Sequence, residues 1–300
     1  MFALLFPGQG SQSVGMLAEL NTQLPIIKNI FSNASDVLGY DLWDLTQNGP
    51  AEKLDQTEFT QPALLAADVA LWECWKSLHK PMPSLLAGHS LGEYAALVAA
   101  DALDFKDAIS LVALRGQYMQ SAVKPGEGAM AAIVGLSDPV VVEICKNAAE
   151  IGIVSPANYN SIGQIVIAGE AVAVEKAIEL AKTAGAKIAK KIPVSVPSHC
   201  VLMQSAAEKM AEKFKSISIK TPQIPVIQNA DVKSFESADA IRDALIRQLT
   251  LPVRWVETIQ YMMQKNIMSF YECGPGSVLT GLNKRISRDI TTENIIHVIQ

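Results

Sequence analysis

The chain has 300 residues, 49% hydrophobic and 18% charged, which supplies a large buried core and is too apolar for a disordered polymer. Lys and Arg number 25 against 30 Asp and Glu, a net charge of -5 with neither half strongly basic, so nucleic acid and anionic membrane are not expected partners. No apolar run approaches the ~18 residues of a spanning helix, and MFALLFPGQG carries neither a basic leader nor a cleavage site, so a cytoplasmic protein is expected.

Short apolar runs alternate with longer stretches of helical period, the texture of an α/β protein. Phe2 to Phe6 predicts a buried strand ended by Pro7, followed by a Gly8-Gln9-Gly10 turn and then a helix. Gln61 to Leu78 has helical spacing, and Pro81 and Pro83 close it before a second short strand, Leu85 to Ala87. Gly88-His89-Ser90-Leu91-Gly92-Glu93 then forms a sharp turn into an Ala-rich helix, Tyr94 to Ala100. Leu111 to Met119 is a further helix.

The texture changes near Pro125. Strands at 129–134, 152–157, 164–168 and 187–194, with helices at 138–150 and 171–184, give the order β-α-β-β-α-β of a ferredoxin-like unit. We therefore expect an inserted small domain over 126–195, splitting a large domain into 1–125 and 196–300. In the second piece a helix is expected at 201–214, strands at 226–228 and 269–272, and helices at 241–249 and 253–263.

Ser90 lies in a G-x-S-x-G between a predicted strand and a predicted helix, the context of a nucleophile elbow. The Leu91 N–H, at the helix start, would face a forming oxyanion. A second donor from a loop after a different strand would fit Gln9, which otherwise is a plain turn residue. A serine nucleophile needs a base, and there are four histidines. His79 and His297 are expected at the surface, and His89, next to Ser90, should point away from it. His199 in Val196-Pro197-Ser198-His199-Cys200 remains, either as that base or as a structural histidine. No spacing identifies the group that would orient its ring.

Arg115 is a lone cation among apolar helical positions, so its guanidinium needs a carboxylate, either an internal one or one on a substrate. From the residues alone the internal salt bridge is the favoured reading. Asn158 and Asn160, in A-N-Y-N-S, would line a cleft or simply make turns. Cys74, Cys145, Cys200 and Cys273 lie far apart with no C-x-x-C, so buried thiols are expected rather than a zinc site or disulfides. The Gly-rich tract lacks the lysine of a phosphate loop.

FPGQGSQSVGM, the QPAL helix, AGHSLGEYAALVAA, L-x-x-R-G-x-x-M around Arg115, GAMAAIVGL, VSVPSHCVLM, AIRDALIRQL and ECGPGSVLTGL follow one another in order. Together they resemble the malonyl-CoA:acyl carrier protein transacylases of bacterial type II fatty acid synthesis, over nearly the whole chain. The resemblance implies an α/β-hydrolase-like large domain with a parallel sheet and a ferredoxin-like insertion. It also implies Ser90 as nucleophile, His199 as base, the Gln248 main-chain carbonyl as the group orienting His199, and Gln9 and Leu91 as oxyanion donors. Arg115 would then hold the malonyl carboxylate, reversing the unaided reading. Met119, Asn158, Asn160 and Ser198 are candidates to line the pocket.

The implied partners are malonyl-CoA and holo-acyl carrier protein, with no metal or other cofactor, and the protein is expected to act as a monomer. Lys187, Lys190, Lys191 and Arg285 are candidates to meet an acidic carrier protein, against an ordinary solvated role. A serine thioesterase and a non-catalytic acyl-CoA or carrier-protein binding module are the competing functions.

Overall fold

The computed structural model describes residues 1–194 and 196–300. Residue 195, where the sequence reading ends the inserted unit, lies outside the described residues. Two sheets organise the chain. The larger has the order β10-β9-β1-β2-β7-β8, built from β1 (Phe2–Phe6), β2 (Leu85–Gly88), β7 (Val226–Gln228), β8 (Lys233–Ser234), β9 (Ser269–Glu272) and β10 (Thr291–Asn294). Its first five strands pair in parallel, and β8 turns back antiparallel on β7.

β1 is apolar throughout because it is covered on both faces. Leu4 and Phe6 join Leu86 and Val226 in a core with the helices Thr57–Ser77 and Phe105–Ala122. Ala3 and Leu5 face the other way, with Ala87, Ile227 and Phe270, against Trp255, Ile259 and Met262 of the helix Trp255–Gln264. The parallel strands β1 and β2 are neighbours, so the loops leaving their C-terminal ends, Pro7 to Gly10 and His89 to Leu91, lie side by side. In open α/β sheets this carboxyl edge is where ligands bind.

The second sheet is antiparallel, order β4-β5-β3-β6, from β3 (Gly128–Val134), β4 (Val154–Ser161), β5 (Gln164–Glu170) and β6 (Ile188–Lys191). The helices Asp138–Ala148 and Ala171–Thr183 bury one face of it in a separate core. Met130, Ala157, Val166 and Ala168 on the opposite face pack against Cys200 in the segment leading back into the large sheet's chain. Backbone bonds Tyr159 N–H to Val253 O (2.9 Å) and Val253 N–H to Ala157 O (2.9 Å) tie β4 to the rest of the molecule.

Several boundaries differ from expectation. β4 runs to Ser161 instead of ending at Ala157, because Asn158 and Tyr159 pair with β5 through small register shifts. β6 is only Ile188–Lys191, with Ile192 N–H still donating to Met130 O of β3 at 3.0 Å just past its end. The Arg115 helix starts earlier, at Phe105, where Asp104 caps it by accepting Lys106 N–H at 2.8 Å. The helix expected at 241–249 is Ala238–Arg247, so Gln248 stands at its carboxyl end. β8, β10 and the helix Ile26–Leu38 were not anticipated. All four cysteines are buried and free.

Candidate active site

Ser90 has φ 54, a left-handed conformation that puts its side chain at the crest of the turn after β2. The flanking glycines are required by space. A Cβ on Gly88 would lie 1.8 Å from the carbonyl carbon of Gly92, and one on Gly92 would lie 2.1 Å from the Phe6 oxygen. The turn is pinned to β1 by His89 N–H to Phe6 O at 2.8 Å. It is also held by Asn229, whose Oδ1 accepts the Ser90 N–H at 2.7 Å while its Nδ2 donates to Gly88 O at 2.5 Å. These bonds offset the cost of the unfavourable φ.

His199, itself at φ 62, is 3% exposed. Its Nε2 is 2.8 Å from Ser90 Oγ and its Nδ1 is 2.8 Å from the Gln248 main-chain oxygen. That carbonyl is left without an intrahelical partner because Gln248 terminates the helix Ala238–Arg247, and the helix end favours positive charge on the ring. Accepting from Nδ1–H, it fixes the tautomer with a bare Nε2 facing the serine hydroxyl. Burial, with the Arg115 charge next, lowers the His199 pKa to about 3, so the ring is a neutral acceptor at ordinary pH.

Arg115 is 1% exposed, and among the described residues it forms no ion pair, which corrects the expectation of an internal salt bridge. Two neutral amides hold it instead. Nη1 donates to Gln61 Oε1 at 2.8 Å, and Nη2 donates to Gln248 Oε1 at 2.9 Å and to Ser90 Oγ at 3.2 Å. The guanidinium carbon lies 5.6 Å from the Tyr94 ring centroid. Neutral partners fix its direction without cancelling its charge, and that charge is aimed at the serine end of the cleft.

A cleft opens in front of these groups between the two sheets. Gln9, Leu91 and Arg115 line it, as do Met119 from the arginine's own helix, Asn158 and Asn160 from β4, and Ser198 and His199 from the return segment. The N–H groups of Gln9 and Leu91 have no acceptor among the described residues. Asn158 and Asn160 are strand residues, not turn residues. The His89 side chain makes no hydrogen bond to Ser90 among the described residues; it lies in the cleft wall, where its Nε2 is 2.8 Å from Asn160 Oδ1. His79 and His297 are exposed.

Three residues of this cluster escaped the sequence reading. Gln61 opens the apolar stretch at Gln61 to Leu78, Asn229 follows the three-residue strand β7, and Glu93 is a buried acid on an Ala-rich helix. Glu93 carries the same signal that singled out Arg115, a lone charge among apolar helical positions. Asn229 has no local signal at all, since the bond it makes to Ser90 spans 139 positions.

Lys187 and Lys190 are exposed, Lys191 pairs with Glu175, and Arg285 donates to Gln164 Oε1 at 2.9 Å. Among the described residues there is no cluster of His, Cys, Asp and Glu suited to a metal ion, and no helix is long and apolar enough to cross a membrane. A serine touching a neutral imidazole, two N–H donors and a cation without a direct ion-pair partner 3.2 Å from the nucleophile suit acyl transfer with an anionic acyl group.

The family model for the acyl transferase domain matches residues 3–299. The malonyl CoA-acyl carrier protein transacylase of Escherichia coli strain K12 is 54% identical over 290 residues, covering 97% of this chain and 94% of that protein. A solved structure of the malonyl CoA-acyl carrier protein transacylase from Coxiella burnetii superposes with a TM-score of 0.98 at 56% identity, covering 99% of this chain and 96% of the other. A further solved structure, of a type II PKS acyl-carrier protein in complex with its malonyl-transacylase, matches with a TM-score of 0.96 at 55% identity over 97% and 94% of the two chains.

Proposed function

This chain belongs to the acyl transferase domain family, and from that membership we propose that Ser90, His199 and Arg115 carry malonyl transfer from malonyl-CoA to acyl carrier protein. The chain is an acyltransferase of the malonyl CoA-acyl carrier protein transacylase type. The observation that carries the residue assignment is the single Ser90 Oγ contacted by both His199 Nε2 and Arg115 Nη2.

Malonyl-CoA enters with its free carboxylate on Arg115, displacing the Nη2 contact to Ser90 Oγ. As Oγ attacks the thioester carbon, its proton passes to His199 Nε2. The carbonyl oxygen becomes an oxyanion received by the N–H groups of Gln9 and Leu91, and the Gln248 carbonyl steadies the imidazolium. The C–S bond then breaks and the sulfur leaves as CoA thiol with the His199 proton, leaving a malonyl-serine ester. The phosphopantetheine thiol of the carrier protein enters in place of CoA and gives its proton to His199. Its sulfur attacks the ester, and Ser90 Oγ leaves with that proton. No metal or redox cofactor enters the balance.

The same reading makes the protein a cytoplasmic monomer that supplies extender units for fatty acid synthesis, with the inserted small domain as a roof over the cleft. The exposed Lys187 and Lys190 are the more available cations for an acidic carrier protein, because Lys191 and Arg285 already have partners. Intact-mass spectrometry after brief exposure to malonyl-CoA tests the transfer. The expected result is a malonyl adduct that moves to added holo-acyl carrier protein and is absent in Ser90→Ala. An adduct released to water without transfer marks a thioesterase, and no adduct leaves a binding module.

A further inference from the structure

One buried carboxyl in the site has no part in these steps. Glu93 is 0% exposed, and its Oε2 accepts two hydrogen bonds, from Asn229 N–H at 2.8 Å and from Gln248 Nε2 at 3.1 Å, while its Oε1 has no partner among the described residues. Both donors belong to residues that hold the nucleophile. Asn229 Oδ1 receives the Ser90 N–H, and Gln248 Nε2 also donates to Ser90 O at 2.9 Å. Gln248 further supports His199 through its main-chain oxygen and Arg115 through Oε1.

We propose that Glu93 is a positioning residue for the transfer, joining Asn229 to Gln248 so that one carboxylate oxygen keeps Ser90, His199 and Arg115 in mutual register. The inference rests on the reading of Ser90 as nucleophile. Its physical basis is the orientation of the Gln248 amide. With Ser90 O and an ionised Glu93 oxygen on one side, only the NH₂ end can face them, which leaves Oε1 for the guanidinium. The reversed amide would set its oxygen against two acceptors and its NH₂ against a cation.

The arrangement depends on protonation. The charged and titratable groups facing Glu93 are Arg115, whose charge favours its ionised form, Asp231, which opposes it, and the neighbouring Tyr94. Burial outweighs the bonds from Asn229 and Gln248 and pushes the carboxyl up to about 7. Below that pH the protonated acid is a poorer acceptor, and the clamp on Gln248 loosens. His199, lowered to about 3, remains a neutral base there.

The test is the rate of Ser90 labelling by a fluorophosphonate, with kcat and KM for malonyl loading, across about pH 5.5 to 9 for wild type, Glu93→Gln and Glu93→Ala. Wild type is expected to lose labelling rate as pH falls through about 7. Glu93→Gln keeps an acceptor oxygen without a titrating group, so it should lack that limb and stay within about threefold of wild type at high pH. Glu93→Ala should lose about tenfold or more in kcat and raise KM for malonyl-CoA, since the braces on His199 and Arg115 go together. The same acidic limb in Glu93→Gln, or a folded Glu93→Ala labelling at the wild-type rate, overturns the proposal. Where neither variant folds, a wild-type rate that is flat down to about pH 5.5 overturns it. Labelling needs no acyl donor, so a chain that labels as expected yet transfers no malonyl group refutes the functional reading and leaves the role of Glu93 standing.

Discussion

Ser90 Oγ is contacted by His199, 109 positions away, and by Arg115, 25 positions away. Arg115 is hydrogen-bonded only by the neutral groups of Gln61, Gln248 and Ser90, with no ion pair among the described residues, so a substrate carboxylate would be the first one in direct contact with it. Arg115→Ala should therefore lower the ratio of malonyl to acetyl loading by about 10–100-fold, the worth of one charge-assisted hydrogen bond of ~1.5–3 kcal/mol, as read by competition between the two thioesters. An unchanged ratio refutes the assignment. Asp68 presents a different case. It is 0% exposed, both its side-chain oxygens lack hydrogen-bond partners among the described residues, and burial with the nearby Glu272 raises its pKa well above 3.8. A carboxyl whose folded pKa is raised contributes stability that is complete below its unfolded pKa and declines as pH rises toward the folded value. Asp68→Asn should flatten that decline and raise the unfolding midpoint at pH 8 by about 2–4 °C, measured by calorimetry across pH. A midpoint that falls at pH 8 means the carboxylate is stabilising.

Among the elements, the strand-turn-helix around Ser90 was legible because its demands are local. G-x-S-x-G encodes a tight turn, and the spaces beside Gly88 and Gly92 are where a side chain cannot go. Gly88→Ala should cost about 3 kcal/mol or more, or abolish folding, because the added carbon meets backbone, which cannot rotate away. Denaturant midpoints and soluble yield check this, and a variant of wild-type stability would mean that the helix Gly92–Ala99 can shift. The ends of elements were less legible. The periodicity of the helix Ala238–Arg247 continues into Gln248, so the sequence placed that residue inside a helix whose end supplies the carbonyl bound by His199. Likewise β4 continues through Asn158 and Asn160 only because β5 and Val253 pair with it.

At the scale of the molecule, the antiparallel sheet closes the cleft where β4 is tied to Val253, just before the helix Trp255–Gln264, and where Asn160 meets His89 in the turn after β2. A covered ester resists water, so Asn160→Ala should shorten the lifetime of the malonyl adduct several-fold while leaving its rate of formation within about twofold, followed by intact mass over time. An adduct of unchanged lifetime would show that the His89–Asn160 bond does not help exclude water. The α/β class, the β-α-β-β-α-β order and the family motifs were determined by the sequence alone, since local periodicity and short motifs encode them. Tertiary structure alone decided that Arg115 faces amides instead of an acid, that His89 turns into the cleft wall, and that Glu93 and Asn229 belong to the site. These facts depend on which distant side chains meet in a desolvated space, where each hydrogen-bond partner is selected by geometry between segments 54 to 155 residues apart.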